Sequence, residues 1–168
     1  YPKLSGDNGY AIFVEDSVDT YGYLVYMDTD DKIKVYLGGT TCAAFKTFDT
    51  ALTIDAWNHI AFIYNGTDLV EYLNGNQDGT HSCTGSIGTS FDNYKIGARI
   101  SGSYYFNGSI DEPMIWNRSL SASEVASLYD MGRDMDYYAD DSLVSWWGFD
   151  KDYSDKKGSN DGTASGNV

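Results

Sequence analysis

The sequence predicts an all-β protein, a β-sandwich with tight turns and one short helix near residues 121–130. Two observations carry this prediction. The 168 residues include 18 glycines and 15 tyrosines but only 2 prolines. Short apolar runs also recur at regular spacing between turns rich in Gly, Asn and Asp, which is typical of short strands joined by tight reversals. A chain of this length usually forms one domain with a substantial core.

The predicted strands follow a polar segment at residues 1–9. Residues 32–37 alternate in polarity, so that Ile33, Val35 and Leu37 share one face. Residues 65–68 (Asn-Gly-Thr-Asp) accept positive φ readily and predict a hairpin. The predicted strands cover residues 9–15, 21–28, 32–37, 41–48, 59–64, 69–73, 80–87, 94–100, 104–116 and 143–150.

The helix is the most strongly specified local element. Ser121 and Glu124 form an S-x-x-E capping box, in which each side chain satisfies a free backbone N–H of the first turn. Leu120 and Val125 have the spacing of a hydrophobic staple. Gly132 is a natural end, because glycine readily takes the left-handed conformation that terminates helices.

Three motifs carry a resemblance to a known family. They are F-x-G-x-I-D-E-x-x-I-W-N-R-x-L-S-x-x-E-V-x-x-L-Y at residues 106–129, W-N-H-I-A at 57–61 with Y-L-N-G at 72–75, and I-G at 96–97. In the order in which they follow one another along the chain, they resemble the motifs of the laminin-G-like jelly rolls of the concanavalin A-like lectin/glucanase superfamily, which includes pentraxins. The resemblance implies a two-sheet antiparallel β-sandwich of the jelly-roll type. It implies this fold more strongly than a function, because one fold hosts many activities.

The C-terminal residues depart from the family's order. D-x-x-G-x-x-D-G-T at residues 155–163 is similar to the D-x-x-G-x-x-x-D-G-T turn that opens laminin-G-like domains, so the family's first strand follows its last helix. We therefore predict a sandwich at 1–132 that lacks the family's first strands, an acidic linker at 133–142 and a strand segment at 143–168. That segment either begins a next repeat, closes its own sandwich, or is donated to a neighbouring subunit.

Charge restricts the classes of partner. Eleven basic and twenty-five acidic residues give a net charge of −14, which disfavours nucleic acid and anionic membrane surfaces. No apolar run is long enough to span a bilayer, and no signal peptide is visible, so we expect no membrane insertion and a mature or excised piece of a longer protein.

Cysteines and sequons indicate the compartment. Cys42 and Cys83 are either unrelated thiols or, as we favour, a disulfide between neighbouring segments of a sheet, which points to an oxidising setting. The N-x-S/T sequons at Asn65, Asn107 and Asn117 are candidate glycosylation sites. Together they predict an extracellular or cell-surface location.

Catalytic motifs are absent from the sequence. His59 lies in a predicted strand and His81 has no obvious partner, and we find no zinc spacing, phosphate-binding loop or nucleophile motif. The E-x-D-x-x-E pattern of the superfamily's glycoside hydrolases does not occur. The sequence therefore predicts that the protein is not an enzyme.

Calcium is the cofactor that the resemblance implies. Related jelly rolls often bind a structural calcium near the I-D-E motif, so the candidate ligands are Asp111, Glu112, Asp150 and Asp155. The alternative is a solvated acidic surface. Residues 28–31 (Asp-Thr-Asp-Asp) could open a calcium loop, but a hairpin turn is favoured because the loop's glycine and distal glutamate are absent.

Exposed aromatic rings would mark a carbohydrate site, and Tyr21, Tyr23, Tyr104 and Tyr105 are the candidates. The predicted function is an extracellular, non-enzymatic binding or adhesion module of a larger surface protein, with glycans or proteins as ligands. The alternative is a structural subunit of a surface layer or filament that self-associates by exchange of residues 143–168.

Overall fold

The computed structural model describes residues 10–15, 22–88, 94–99, 104–132 and 140–165. The chain divides into two compact units, Tyr1–Gly108 and Ser109–Val168, and each is described by itself. The predicted fold class is confirmed, since the described strands pair antiparallel and one α-helix accompanies them. The elements are β1 (Tyr10–Glu15), β2 (Tyr23–Met27), β3 (Lys32–Leu37), β4 (Lys46–Ala51), β5 (Ile60–Tyr64), β6 (Asp68–Leu73), β7 (Asn76–Ser82), β8 (Tyr94–Ile96), β9 (Met114–Trp116), α1 (Ala122–Met131) and β10 (Leu143–Trp146).

Two sheets of the first unit share one hydrophobic core. The first sheet has the strand order β4-β3-β2-β1-β8, and the second has the order β5-β6-β7. Ile33, Val35 and Leu37 of β3 are completely buried, as the alternation of this strand predicts. They pack in one cluster with Leu69 and Leu73 of β6. Because side chains from both sheets meet in this core, the unit is a β-sandwich.

β4 begins later than the sequence predicts. The prediction places it at residues 41–48, whereas the strand covers Lys46–Ala51. A turn precedes it, in which the backbone N–H of Ala43 donates to the carbonyl oxygen of Thr40 at 3.1 Å and the N–H of Cys42 donates to Thr40 Oγ1 at 3.0 Å. The turn takes up the residues that would otherwise have begun the strand.

β7 begins earlier than predicted, at Asn76 instead of residue 80. Asn74 and Gly75 have φ angles of 50° and 76°, which allow a two-residue turn between β6 and β7. Pairing therefore starts at once, with Asn76 opposite Leu73.

β9 is much shorter than the predicted strand at residues 104–116. Its pairing is confined to Met114–Trp116. Pro113 has no backbone N–H to donate to a ladder, and Glu112 has a φ of 54°, outside the extended region. The extended run is thus interrupted immediately before the strand.

In the second unit, β10 pairs antiparallel with β9. Leu143 lies opposite Trp116, and Trp146 lies opposite Met114. The C-terminal strand therefore pairs with a segment of its own chain. The predicted domain boundaries, and exchange of residues 143–168 between chains, stay predictions.

The capping box of α1 has the predicted form. Ser121 Oγ accepts a hydrogen bond from the backbone N–H of Glu124 at 3.3 Å, and Glu124 Oε2 accepts one from the N–H of Ser121 at 2.7 Å. Hydrogen bonds from Arg118 and then from Ser121 lower the pKa of Glu124 to about 2. In the part of the chain that the structure describes, no helix has the length and hydrophobicity of a membrane span.

Replacing Ser121 with alanine is expected to lower the free energy of unfolding by about 1 kcal/mol, because the N–H of Glu124 loses its acceptor. Thermal unfolding followed by circular dichroism will show this as a lower Tm. Ser127→Ala is the control within the same helix: its hydroxyl only bonds the carbonyl oxygen of Ser123, and alanine is the better helix former. If Ser121→Ala lowers Tm no more than Ser127→Ala does, the prediction is wrong.

Candidate functional site

Three aromatic rings lie together on the face of the five-stranded sheet opposite the core. Val25 of β2 and Val35 of β3 are buried opposite each other, so their neighbours Tyr26 and Tyr36 face away from the core. Phe45 precedes β4, and its ring centroid lies 4.8 Å from that of Tyr26 and 5.6 Å from that of Tyr36. We call Tyr26, Tyr36 and Phe45 the aromatic platform.

The aromatic platform presents apolar ring surface and phenolic hydroxyls side by side. Phe45 is 45% exposed, and Tyr26 and Tyr36 are half-buried. Burial raises the pKa of the Tyr26 hydroxyl above its ordinary value of 10.0, so this group is protonated at neutral pH and can donate a hydrogen bond. A flat apolar surface with polar groups at its edge suits a sugar ring, which has an apolar C–H face and a rim of hydroxyls.

Charged side chains border the aromatic platform. Lys34 lies opposite Tyr26 in the strand ladder and forms an ion pair with Asp28. Hydrogen bonding between the two lowers the pKa of Asp28 and raises that of Lys34. The charge of Arg99 also acts on the Tyr26 hydroxyl, and the Arg99 guanidinium lies 5.5 Å from the centre of the Tyr104 ring. Groups of both signs are therefore available for hydrogen bonding.

The four tyrosines predicted as ligand contacts lie in different surroundings. Tyr21 is outside the described residues. Tyr23 is on the core side of β2, where its ring stacks 5.7 Å from that of Phe13 and packs against the hydrophobic cluster. Tyr104 is half-buried, and Tyr105 is 59% exposed. Tyrosine content alone did not identify the aromatic platform, although the alternation of β2 and β3 could have indicated Tyr26 and Tyr36.

The predicted metal ligands Asp111, Glu112, Asp150 and Asp155 all belong to the second unit. Glu112 Oε2 accepts a hydrogen bond from the indole N–H of Trp146. The side chain of Asp155 is buried and bonded to the backbone. Among the described residues, no three His, Cys, Asp or Glu side chains are arranged to hold a metal ion. Calcium binding stays a prediction.

Asp155 organises the loop that follows β10. Its carboxylate accepts hydrogen bonds from the backbone N–H groups of Trp146 (3.0 Å), Lys157 (3.0 Å), Gly158 (2.9 Å) and Asn160 (3.2 Å). Burial alone would raise the pKa of Asp155, but the hydrogen bonds prevail and lower it to about 2. A Cβ atom at Gly158 would lie 2.6 Å from Asp155 Oδ2. The D-x-x-G part of the motif thus has a structural cause: the glycine makes room for the carboxylate.

The predicted disulfide joins Cys42 and Cys83, whose Cα atoms are 5.3 Å apart. Both residues are completely buried. Cys42 precedes β4 and Cys83 follows β7, so the bond links the ends of two edge strands, one from each sheet.

The three predicted sequons are at exposed positions. Asn65 lies in the hairpin turn between β5 and β6, where its Oδ1 accepts hydrogen bonds from the backbone N–H and the hydroxyl of Thr67. Asn107 and Asn117 are also exposed. Exposure permits glycosylation without demonstrating it, so all three sites stay predictions.

Comparison with known families agrees with the architecture of the first unit. The family described as the concanavalin A-like lectin/glucanases superfamily matches residues 1–126. The chain belongs to this superfamily. The resemblance of the three sequence motifs is thereby confirmed, and the matched range includes the aromatic platform and the disulfide. No curated protein matches the chain.

Two solved structures are similar to this chain in fold. The first is a Bacteroides ovatus protein named a "putative carbohydrate binding protein", with a TM-score of 0.64 and 18% identity over 86% of this chain. A heptameric SAP-like pentraxin from Limulus polyphemus has a TM-score of 0.50 and 17% identity over 73% of this chain. The chain spans 42% of the Bacteroides protein and 63% of the pentraxin. An S-layer domain-containing protein from Clostridium thermocellum is 25% identical over 77% of this chain and 66% of its own, but its TM-score of 0.35 does not establish a shared fold.

Proposed function

We propose that the chain is a non-enzymatic glycan-binding module that acts outside the cell as part of a larger surface protein. The aromatic platform is the observation that carries this proposal. Tyr26 and Tyr36 are held by the paired strands β2 and β3, and Phe45 packs against both rings. The platform exposes apolar surface beside hydroxyl and charged groups, a combination that suits a sugar ring. Membership of a superfamily of lectins and glucanases supports the proposal, as does the name of the Bacteroides protein.

Neutral glycans are the ligand class that the electrostatics favour. The net charge of −14 would repel polyanionic sugars at long range. Of the two cations near the aromatic platform, Lys34 is neutralised by its ion pair with Asp28, and Arg99 lies over the Tyr104 ring. Recognition would therefore depend on ring stacking and hydroxyl hydrogen bonds.

The disulfide supports the extracellular part of the proposal. Disulfides persist in oxidising compartments and are rare in the reducing cytosol. The bond between Cys42 and Cys83 is buried and joins two sheets, as expected of a structural disulfide. Glycosylation at the three sequons and calcium binding are part of the same extracellular hypothesis.

The non-enzymatic part of the proposal is supported by the state of Asp28. Glycoside hydrolysis needs one carboxylic acid that stays protonated and a second carboxylate across the scissile bond. Asp28 borders the aromatic platform, but its hydrogen bond with Lys34 lowers its pKa and keeps it ionised. This carboxylate is therefore unsuited to act as the acid.

Replacing Phe45 with alanine is expected to weaken glycan binding roughly two- to tenfold, because an aromatic contact of this kind contributes about 0.5–1.5 kcal/mol. The ligand would first be identified on an array of neutral and acidic oligosaccharides. Isothermal titration calorimetry with the best neutral oligosaccharide then measures Kd for the wild type and the variant.

Tyr129→Ala is the matched control, because Tyr129 is similarly exposed at 44% but lies on α1. Its Kd should equal that of the wild type. Binding that survives Phe45→Ala but is lost in Tyr105→Ala would move the site away from the aromatic platform. An array without any bound glycan would overturn the proposed function.

A further inference from the structure

A glutamate lies inside the sandwich of the first unit. Glu71 of β6 points to the same face as Leu69 and Leu73, which belong to the core, and its side chain is completely buried. Opposite it on β7 is Gly79, where a Cβ atom would lie 2.8 Å from Glu71 Oε2. The absence of a side chain at Gly79 thus makes room for the carboxyl group.

The hydrogen bonds of Glu71 fit a neutral acid better than a carboxylate. Its Oε2 lies 3.3 Å from His81 Nε2, and within the described residues its Oε1 has no hydrogen-bond partner. A buried, unsatisfied oxygen is far more destabilising when it is charged than when it is the carbonyl oxygen of a neutral acid. Burial also lowers the pKa of His81, so at neutral pH a neutral imidazole nitrogen is available to accept a hydrogen bond from the protonated carboxyl group of Glu71.

Glu71 lies beneath the line where the edge strands of the two sheets meet. We call this line the β4–β7 seam. The backbone N–H of Thr50 on β4 donates to Asp78 Oδ2 on β7 at 3.1 Å. At the other end of the seam, Thr41 precedes β4 and Thr84 follows β7. There the backbone N–H of Thr41 donates to the carbonyl oxygen of Thr84 at 2.8 Å, beside the disulfide. The seam is thus fixed on both sides of the Glu71–His81 contact.

The charged and titratable groups that face Glu71 come from both edge strands. They are His81 and Asp78 on β7, and Lys46 and Asp49 on β4. Burial chiefly, and then Asp78 and Asp49, raise the pKa of Glu71 to about 7, while Lys46 opposes them. Ionisation of Glu71 would place a negative charge beside two carboxylates and only one lysine.

We propose that the Glu71–His81 contact is a proton-dependent closure of the β4–β7 seam, closed while Glu71 holds its proton and loosened when the proton is lost. Once the seam opens, water solvates the carboxylate and its pKa returns towards the ordinary 4.5. The closed state therefore binds the proton more tightly than the open state. The part of its stability that Glu71 contributes is complete below about pH 4.5 and falls as the pH rises through about 7. This device does not depend on glycan binding.

Native-state hydrogen exchange of the β4 and β7 amides tests the proposal. After correction for the intrinsic exchange rate, the opening equilibrium of the wild type should rise roughly tenfold or more between pH 5 and pH 8. Glu71→Gln keeps the shape of the side chain without an ionisable group, so its opening equilibrium should lack this rise between pH 5 and pH 8. Asp130→Asn, at an exposed position on α1, should behave as the wild type.

A pH titration of the wild type tests the proposal even if the Glu71→Gln variant does not fold. Carbon-13 NMR of the Glu71 side-chain carboxyl should report a midpoint near 7, well above the ordinary value of 4.5. A midpoint near 4.5 would overturn the proposal. So would the same pH dependence of seam opening in the wild type and in Glu71→Gln.

Discussion

Removing the disulfide by replacing Cys42 and Cys83 with alanine is expected to lower the free energy of unfolding by about 4 kcal/mol. The two cysteines are 41 residues apart in the sequence, so their bond removes the conformational freedom of a long loop from the unfolded chain. Urea unfolding of the double variant and of the oxidised wild type, followed by circular dichroism, measures the difference.

Alanine is the appropriate replacement because both sulfur atoms lie in the hydrophobic core, where a serine hydroxyl would add a desolvation penalty. Wild-type protein reduced with dithiothreitol is the control that keeps every other side chain, and it should lose a similar amount of stability. Equal urea midpoints for oxidised and reduced protein would show that the bond does not stabilise the fold. They would also weaken the structural argument for an oxidising compartment.

The sequence predicts well those strands whose sequence pattern lies within the strand itself or in the adjoining turn. β3 has the predicted bounds of residues 32–37, because burial alternates strictly along it. The hairpin of β5 and β6 also lies within one residue of the prediction, since the Asn-Gly turn at residues 65–66 specifies where the chain reverses. The capping box at Ser121 is local in the same sense.

The elements that the sequence does not predict depend on contacts between distant residues. β4 begins at Lys46 because the preceding residues turn around Thr40 and lead into the disulfide. The apolar pattern of residues 41–48 contains no information about that constraint. β9 is short because Glu112 takes a positive φ next to Pro113, and only the proline is visible as a signal in the sequence.

The residues of the candidate site also divide into those that a local sequence pattern predicts and those that depend on contacts between distant residues. Tyr26 and Tyr36 could have been separated from Tyr23 by extending the alternation of β3 to β2, because opposite residues in an antiparallel pair face the same side. The position of Phe45 could not have been predicted from alternation, since this residue lies outside a strand. Likewise, alternation places Glu71 on the buried face of β6, but its proximity to His81 and to β4 emerges only when the two sheets meet.

Asp155 is the clearest case of a residue whose chemistry cannot be decided from composition. The family resemblance makes it a candidate calcium ligand, and in the structure its carboxylate accepts four backbone hydrogen bonds. Those donors come from residues as far apart as Trp146 and Asn160. The carboxylate therefore connects the end of β10 to the loop that follows it.

Replacing Asp155 with asparagine is expected to lower the free energy of unfolding by about 2–3 kcal/mol at neutral pH, because a charged acceptor of several N–H groups is lost. An amide group also brings N–H donors towards the backbone N–H groups of the loop. Thermal unfolding followed by tryptophan fluorescence is the measurement, since the indole of Trp147 donates to the carbonyl oxygen of Asn160 in the same loop at 2.8 Å.

The difference between wild type and Asp155→Asn should depend on pH in a defined direction. The pKa of Asp155 is lowered from 3.8 to about 2 on folding, so its contribution is complete above pH 3.8 and is lost as the pH falls through 2. The two Tm values should therefore converge between about pH 4 and pH 2. Asp152→Asn, an exposed position in the same loop, should change Tm little because exposed ion pairs contribute weakly. If the Tm values of the wild type and Asp155→Asn already coincide at neutral pH, the buried carboxylate does not hold this loop together. The same conclusion follows if Asp155→Asn and Asp152→Asn lower Tm by the same amount.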